Sequence, residues 1–147
     1  MNKTIILKII AALTLIAVAF FISAIDTNAA PKRIPSAKLD ALMQQAIDKG
    51  AAKLPVKLDS VTWLIKILKD GHTISFVHVL DDPVLEDMNT QDKRLLIEMQ
   101  KEIVLDKMDA QEKGAMAIRA FLQNGYQVVL VYYDTQLKLI GRVHFKD

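Results

Sequence analysis

Metal binding or acid–base catalysis in this chain would depend on three histidines and one acidic loop. The sequence has no cysteine, which excludes thiolate zinc sites, a cysteine nucleophile and a disulfide framework. His72 lies in a predicted turn, His78 lies in a predicted strand among apolar neighbours, and His144 lies in a later strand among basic ones. A two-histidine site needs both rings on the same face of neighbouring strands. We therefore predict no metal site.

The acidic loop is the second place where chemistry could occur. Its four carboxylates are those of Asp81, Asp82, Glu86 and Asp87. Oxygen-rich loops bind Ca²⁺, but the EF-hand spacing and its turn glycine are absent. A glycosidase needs two carboxylates across a cleft, one of them in an apolar pocket, and a single polar loop does not provide that separation. Because nucleophile-elbow and phosphate-loop motifs are also absent, the sequence indicates no catalytic residue and no cofactor.

Aromatic and basic residues near the end of the chain form the best candidate binding surface. Tyr132 and Tyr133 are adjacent in a predicted strand, so their rings point to opposite faces and at least one can be exposed. Lys138 and Arg142 lie on the polar face of the next strand. Aromatic residues and arginine commonly dominate the energy of protein interfaces. We predict that a partner is bound through Tyr132 or Tyr133 together with Lys138 or Arg142; the alternative is that both rings pack against helices that cover the two faces of the sheet.

The elements that must position these residues include helices at two places in the chain. Ser36 is a suitable N-cap for an amphipathic helix, and Gly50 is well placed to end it. Residues 90–124 also have a helical pattern, and Asn124-Gly125 closes it. The periodicity is interrupted around residues 106–109. The sequence leaves open whether this region forms one bent helix or two.

Two predicted β-hairpins alternate with these helices. Residues 61–68 and 73–80 are rich in β-branched and aromatic side chains, and the Asp70-Gly71 pair between them is a strong hairpin signal. Residues 126–133 and 137–145 form the second hairpin. The order helix, hairpin, helical region, hairpin predicts an α+β domain with a four-stranded, mainly antiparallel sheet.

Strict alternation along each strand predicts which side chains share a face. In the first strand Trp63 groups with Val61, Ile65 and Ile67, so we expect its ring to be buried. In the last strand the predicted inner set is Leu137, Leu139, Gly141, Val143 and Phe145, and the predicted outer set is Lys138, Ile140, Arg142, His144 and Lys146.

The N-terminus predicts export. Lysines precede an uncharged apolar run over residues 9–25, and small residues follow it. Residues 1–29 are therefore predicted to be a signal peptide cleaved after Ala29, or else an uncleaved anchor that crosses the membrane through the apolar run. Residues 30–35 form a short basic linker, and residues 36–147 form a single domain. Both alternatives place that domain outside the cytoplasm, either exported to the periplasm or held there by an inner-membrane anchor.

Short segments between residues 50 and 145 carry a resemblance to known proteins. They are Leu54-Pro55, Asp59-Ser-Val-Thr62-Trp-Leu64, His72-Thr-Ile74-Ser-Phe76, Phe121-Leu122-Gln-Asn-Gly125 and Val129-Leu-Val-Tyr132-Tyr133-Asp134. With these segments the chain resembles a group of small exported bacterial α+β envelope proteins of uncharacterised function. Members of the group often carry a cysteine pair that joins the late helix to the C-terminus, and this sequence lacks it. The resemblance implies a fold and a location, and it implies no activity.

Composition limits the remaining functions. A chain of 147 residues is long enough for one ordinary domain. Its 19 Lys and Arg nearly cancel its 17 Asp and Glu, which argues against a nucleic-acid-binding surface. We therefore predict a non-catalytic envelope protein that binds another envelope protein as an accessory subunit of an assembly. The alternative is an immunity- or inhibitor-type binder that blocks a toxin or lytic enzyme, and a hydrolase ranks last.

Overall fold

The structure, a computed structural model, describes residues 34–146. In chain order their elements are α1 (Ala37–Ala51), β1 (Val56–Lys57), β2 (Thr62–Asp70), β3 (Thr73–Leu80), a short 3-10 helix (Pro83–Leu85), α2 (Thr90–Asp109), α3 (Lys113–Gln123), β4 (Gln127–Tyr133) and β5 (Leu139–Phe145). The predicted signal peptide or anchor lies outside the described residues. Within them, no helix combines the length and apolar character needed to span a bilayer.

The strands form one mixed sheet in the order β1-β2-β3-β4-β5. Three neighbouring pairs are antiparallel, and β3 and β4 are parallel because the helical region connects them across the sheet. The predicted α+β class and mainly antiparallel sheet are confirmed. The sheet has a fifth strand because the two residues of β1 pair with β2, and residues 90–124 form two helices.

Two helix ends follow the predicted caps, whereas the end predicted at Gly50 is wrong, because α1 continues through Gly50 to Ala51 and its C-cap is Ala52. The side chain of Ser36 accepts the N–H of Leu39 at 3.1 Å and so begins α1. At the end of α3, Gly125 takes φ +91, and the N–H of Tyr126 donates to the carbonyl of Phe121 at 3.0 Å, as in a Schellman cap. A Cβ at Gly125 would lie 2.9 Å from the Pro35 ring. Both the backbone angle and the close approach therefore require glycine there.

All three helices of the described chain pack on one side of the sheet, called the core face here. Buried side chains from every helix meet the strands in a single cluster, which includes Met43, Ile47, Leu96, Val104, Ile118, Phe121, Ile74, Phe76, Leu130 and Val143. Helix α2 comes very close to β5 at Gly141. Only glycine allows this approach, since a Cβ at this position would overlap the side chain of Ile97. This close approach holds α2 against the edge half of the sheet.

A polar clamp attaches α1 to the same face. The Lys69 ammonium lies 3.0 Å from Asp40 Oδ1, and the Tyr126 hydroxyl donates to the same oxygen at 3.0 Å. The hydrogen bond from Lys69 is the main reason why the pKa of Asp40 is held below its usual value. The clamp therefore links α1 to β2 and to the residue that precedes β4.

Two β-bulges change the predicted assignment of side chains to faces. The register of β2 shifts between Leu64 and Lys66, so Ile65 is an extra residue and the alternation restarts after it. Leu64 and Ile67 consequently both belong to the core cluster, whereas Trp63 is only half-buried on the opposite side. The predicted grouping of Trp63 with Ile67, and the burial expected of the tryptophan ring, are wrong for this reason.

The second bulge lies in the C-terminal hairpin. Tyr132 pairs with Gly141 and Tyr133 pairs with Leu139, so Ile140 is the extra residue. Ile140 is buried in the core cluster although alternation assigned it to the polar face, and Leu139 is exposed although alternation assigned it to the inner one. The predicted inward residues Val143 and Phe145 are buried. Leu137, with φ +59 in the turn, is exposed instead of inward-facing.

Candidate protein-binding face

The side of the sheet opposite the three helices is called the open face here. Its side chains follow cross-strand rows set by the register of β2, β3, β4 and β5. The rows are Trp63–Val79–Tyr133–Leu139, Lys66–Val77–Val131–Arg142 and Leu68–Ser75–Val129–His144. Within residues 34–146, no helix residue belongs to the apolar cluster of this face. The described chain therefore leaves this side of the sheet without a covering layer.

The middle of the open face is apolar. Val77, Val129 and Val131 form a buried cluster, and the partly buried side chains of Ile65 and Tyr133 pack against it. Larger apolar side chains are exposed at two places around the cluster, Leu68 on β2 and Leu139 on β5. They are 42% and 39% exposed, respectively. Exposed leucines beside partly buried apolar side chains are typical of an interaction surface.

Cations flank this apolar middle on two sides. Lys66 and Arg142 occupy the two ends of the central row, and both are exposed. Neither forms an ion pair within residues 34–146. On the β1 side, the Lys57 ammonium lies 5.5 Å from the centre of the Trp63 ring, in a cation–π arrangement. The open face therefore combines an apolar centre with positive charge at its margins.

The structure brings two of the four predicted binding residues together. Arg142 lies opposite Val131, which is two residues before Tyr133 on the same face of β4. Lys138 is exposed at the turn of the same hairpin, where its backbone N–H donates to Asp134 Oδ1 at 2.9 Å. These three side chains remain candidates for contact with a partner.

Tyr132 is placed differently, because its side chain points to the core face. The ring is 1% exposed and stacks on His78, with the ring centroids 4.9 Å apart. Its hydroxyl accepts a hydrogen bond from Gln100 Nε2 of α2 at 3.2 Å. Burial raises the pKa of this hydroxyl. A partner on the surface cannot reach Tyr132, so the predicted choice between the two tyrosines falls on Tyr133.

The three histidines occupy separate surroundings. His72 is exposed in the first hairpin turn, His144 is exposed on the open face, and His78 is buried on the core face. Within the described part of the chain, no group of three or more His, Cys, Asp or Glu side chains is arranged to hold a metal ion.

In the acidic loop two carboxylates serve the local structure. Asp82 Oδ1 accepts the N–H of Val84 at 3.0 Å and caps the 3-10 helix. Glu86 accepts a hydrogen bond from the Thr135 hydroxyl at 3.1 Å. The loop is thereby connected to the turn of the second hairpin.

Sequence reasoning missed the contribution of β2 to the open face. Strict alternation placed Trp63 and Ile65 on the buried side, and neither Lys66 nor Leu68 was recognised as part of a surface. The bulge at Ile65 turns Trp63 and Ile65 to the open face, where alternation from Ile67 also places Lys66 and Leu68. One signal was available, since Lys66 interrupts the apolar run over residues 63–68 and is difficult to bury.

Comparison with solved structures identifies proteins that share this fold. A protein from Pseudomonas aeruginosa described as secreted has a TM-score of 0.52 with 10% sequence identity, and the match covers 74% of this chain and 89% of that one. The pilotin EpsS of the Vibrio vulnificus type 2 secretion system has a TM-score of 0.50 with 13% identity, covering 74% and 88%. No family model matches the chain, and no curated protein matches it either. At these identities the likeness establishes the fold.

Proposed function

We propose that this protein is a non-catalytic accessory subunit of a bacterial envelope assembly and that it binds another envelope protein through its open face. The observation that carries the proposal is the central row Lys66–Val77–Val131–Arg142, in which exposed cations flank buried apolar residues on a sheet face that no helix within residues 34–146 covers. The likeness to a secreted protein and to a secretion-system pilotin supports a function in the envelope.

Three residues have distinct tasks in this proposal. Tyr133 presents a half-buried aromatic ring at the edge of the valine cluster, where it can anchor a partner side chain. Arg142 offers an exposed guanidinium, which forms no ion pair within residues 34–146, for pairing with a carboxylate of the partner. Lys138 extends the positive margin to the hairpin turn. Tyr132 supports β4 from the core side through His78 and Gln100.

The proposed location depends on residues 1–29. We propose that they direct export and are removed after Ala29. The mass of the protein isolated from its native cells should then correspond to a chain that begins at Ala30. A full-length mass found in washed membranes would instead establish an uncleaved anchor with the domain in the periplasm.

Crosslinking in intact cells tests the binding function. Cells that produce the wild-type protein or Arg142→Glu are treated with a crosslinker, and the adducts are purified and identified by mass spectrometry. Lys101→Glu is the matched control, because it makes the same charge change at an exposed position of α2 on the helical side. Melting of each purified variant shows whether the fold is intact.

The proposal predicts that one envelope protein is recovered with the wild type and with Lys101→Glu. Arg142→Glu should recover much less of it at an unchanged melting temperature, since an exposed strand position rarely affects stability strongly. Equal recovery with all three proteins would exclude the open face as the interface. Recovery of no envelope protein by the wild type would contradict the binding function itself.

A further inference from the structure

The charges of the open face indicate what kind of surface it can bind. Lys66 and Arg142 lie at the two ends of the central row. Lys57 on β1 pairs with Trp63 and so lies at the end of the first row. Among the paired strand residues, the register assigns one carboxylate to this side, that of Asp70 at the end of β2. A second copy of this chain would place like charges against each other. Charge complementarity therefore favours a partner that carries carboxylates on both sides of an apolar surface.

The spacing of these cations sets the width of the bound segment. Lys66 on β2 and Arg142 on β5 are separated by three strand spacings, which amounts to about 14 Å. An α-helix with its side chains is about 10–12 Å wide, so one helix fits between the two cations. An extended segment is about 5 Å wide and would leave one of the two flanks without a partner.

The length of the apolar surface is consistent with a short helix. Successive rows lie two residues apart, so the three rows extend over about 13 Å along the strands. A helix of about nine residues covers this distance. Apolar side chains at helical spacing would then contact the partly buried Ile65 and Tyr133, which pack on the valine cluster, while the exposed Leu68 and Leu139 would close over the two ends of the helix.

We propose that the open face binds an amphipathic α-helix of the partner protein, with an apolar stripe flanked on both sides by Asp or Glu. This inference rests on the proposed binding function and specifies the class of segment that the interface takes. The apolar stripe lies along β3 and β4. The flanking carboxylates pair with Lys66 on one side and with Arg142 on the other, which selects partners and aligns the helix between the flanks.

A pair of synthetic peptides tests the inference. Both are roughly 18 residues long and carry the same leucine stripe; one has Glu on both flanks of the stripe, and the other has Lys at the same positions. Binding is measured by fluorescence anisotropy to the protein purified as the cell processes it. The proteins compared are the wild type, the double variant Lys66→Glu with Arg142→Glu, and the control Lys101→Glu.

The glutamate peptide should bind the wild type and Lys101→Glu equally, and the lysine peptide should bind at least about tenfold more weakly. The double variant should lose at least about tenfold in affinity for the glutamate peptide and gain affinity for the lysine peptide. If the double variant melts early, the neutral pair Lys66→Gln and Arg142→Gln replaces it and should show a smaller loss in the same direction.

Two results would overturn the inference. The first is equal affinity for both peptides, or an affinity that the double variant does not change. The second is that the protein binds vesicles of phosphatidylcholine with phosphatidylglycerol, does not bind vesicles of phosphatidylcholine alone, and does not bind the glutamate peptide. This result would assign the cations to a membrane surface. If an envelope protein is still crosslinked in cells while the peptides fail, the binding function stands and only the helical acidic partner is wrong.

Discussion

The buried histidine of the core face should make the domain sensitive to mild acid. His78 is 2% exposed, its ring stacks on Tyr132, and its Nδ1 lies 3.2 Å from the carbonyl oxygen of Val131. Nδ1 therefore carries the hydrogen of the neutral ring and donates it to that oxygen. Burial lowers the pKa of His78 to about 4, from 6.5 in an unfolded chain, although the nearby Asp59 carboxylate acts in the opposite direction.

A lowered histidine pKa means that the unfolded chain binds the proton more tightly than the folded protein. This difference in proton binding has a negligible effect on stability above about pH 6.5. Below that pH the stability of the folded protein falls as the pH decreases towards 4. Since each unit of pKa difference corresponds to about 1.4 kcal/mol, the loss should be about 2 kcal/mol at pH 5 and about 3 kcal/mol at pH 4. The charged carboxylate of Asp40, whose pKa is held below 3.8, stabilises the folded protein, and this stabilisation is lost only at lower pH.

Urea unfolding at about pH 7 and about pH 5 measures this loss. The fluorescence of Trp63, the single tryptophan, reports unfolding. The variant His78→Phe keeps an aromatic ring against Tyr132 but cannot be protonated, so it should lose much less stability than the wild type between the two pH values. His144→Gln removes an exposed histidine and should behave like the wild type. If the wild type and His78→Phe lose the same free energy of unfolding, the reasoning about His78 is wrong.

Four further substitutions test the fold by urea unfolding, followed by far-UV circular dichroism because one of them removes the single tryptophan. Gly125→Ala should lower the free energy of unfolding by about 1–3 kcal/mol, because alanine is strained at φ +91 and its Cβ would press on Pro35; an unchanged midpoint would show that the cap can relax. Trp63→Ala should destabilise less than Phe76→Ala, which removes a fully buried ring at a cost of about 3–5 kcal/mol, and the reverse order would mean that the tryptophan belongs to the core. Asp134→Ala should lower stability by about 1–3 kcal/mol, because Oδ1 of this buried carboxylate accepts the N–H groups of Gln136 and Lys138; equal unfolding curves would contradict a role in holding the hairpin turn.

Local sequence signals predicted the order of the elements well, because each depends on a few neighbouring residues. Ser36 caps α1 as expected, and Asn124-Gly125 ends α3. The Asp70-Gly71 pair joins two strands whose register begins with Asp70 opposite Thr73. Alternation also puts His78 and Leu80 on one face of their strand, and both are buried. Caps and turns of this kind are predictable because they depend on residues that are close together in the sequence.

The composition of the open face could not be predicted in the same way. The bulge at Ile65 depends on the pairing of β2 with β3, and no residue type in β2 indicates its position. The parallel pairing of β3 with β4 joins segments about 50 residues apart and aligns Val77 with Val131. Only this non-local register places Lys66 and Arg142 in one row. The sequence therefore indicated half of the candidate site, in the C-terminal hairpin, and missed the half on β2.

Photo-crosslinking at matched leucines tests the central claim, that the open face is the interface, most directly. A benzophenone amino acid replaces Leu68 or Leu139 on the open face, or Leu95 or Leu105 on α2; all four positions are exposed, so the substitutions are comparable. After irradiation of intact cells, adducts are detected on denaturing gels and identified by mass spectrometry. If the open face is the interface, both open-face positions form an adduct with the same envelope protein and the two positions on α2 form none. Adducts from Leu95 and Leu105 without any from Leu68 and Leu139 would contradict it and place the interface on the helical side.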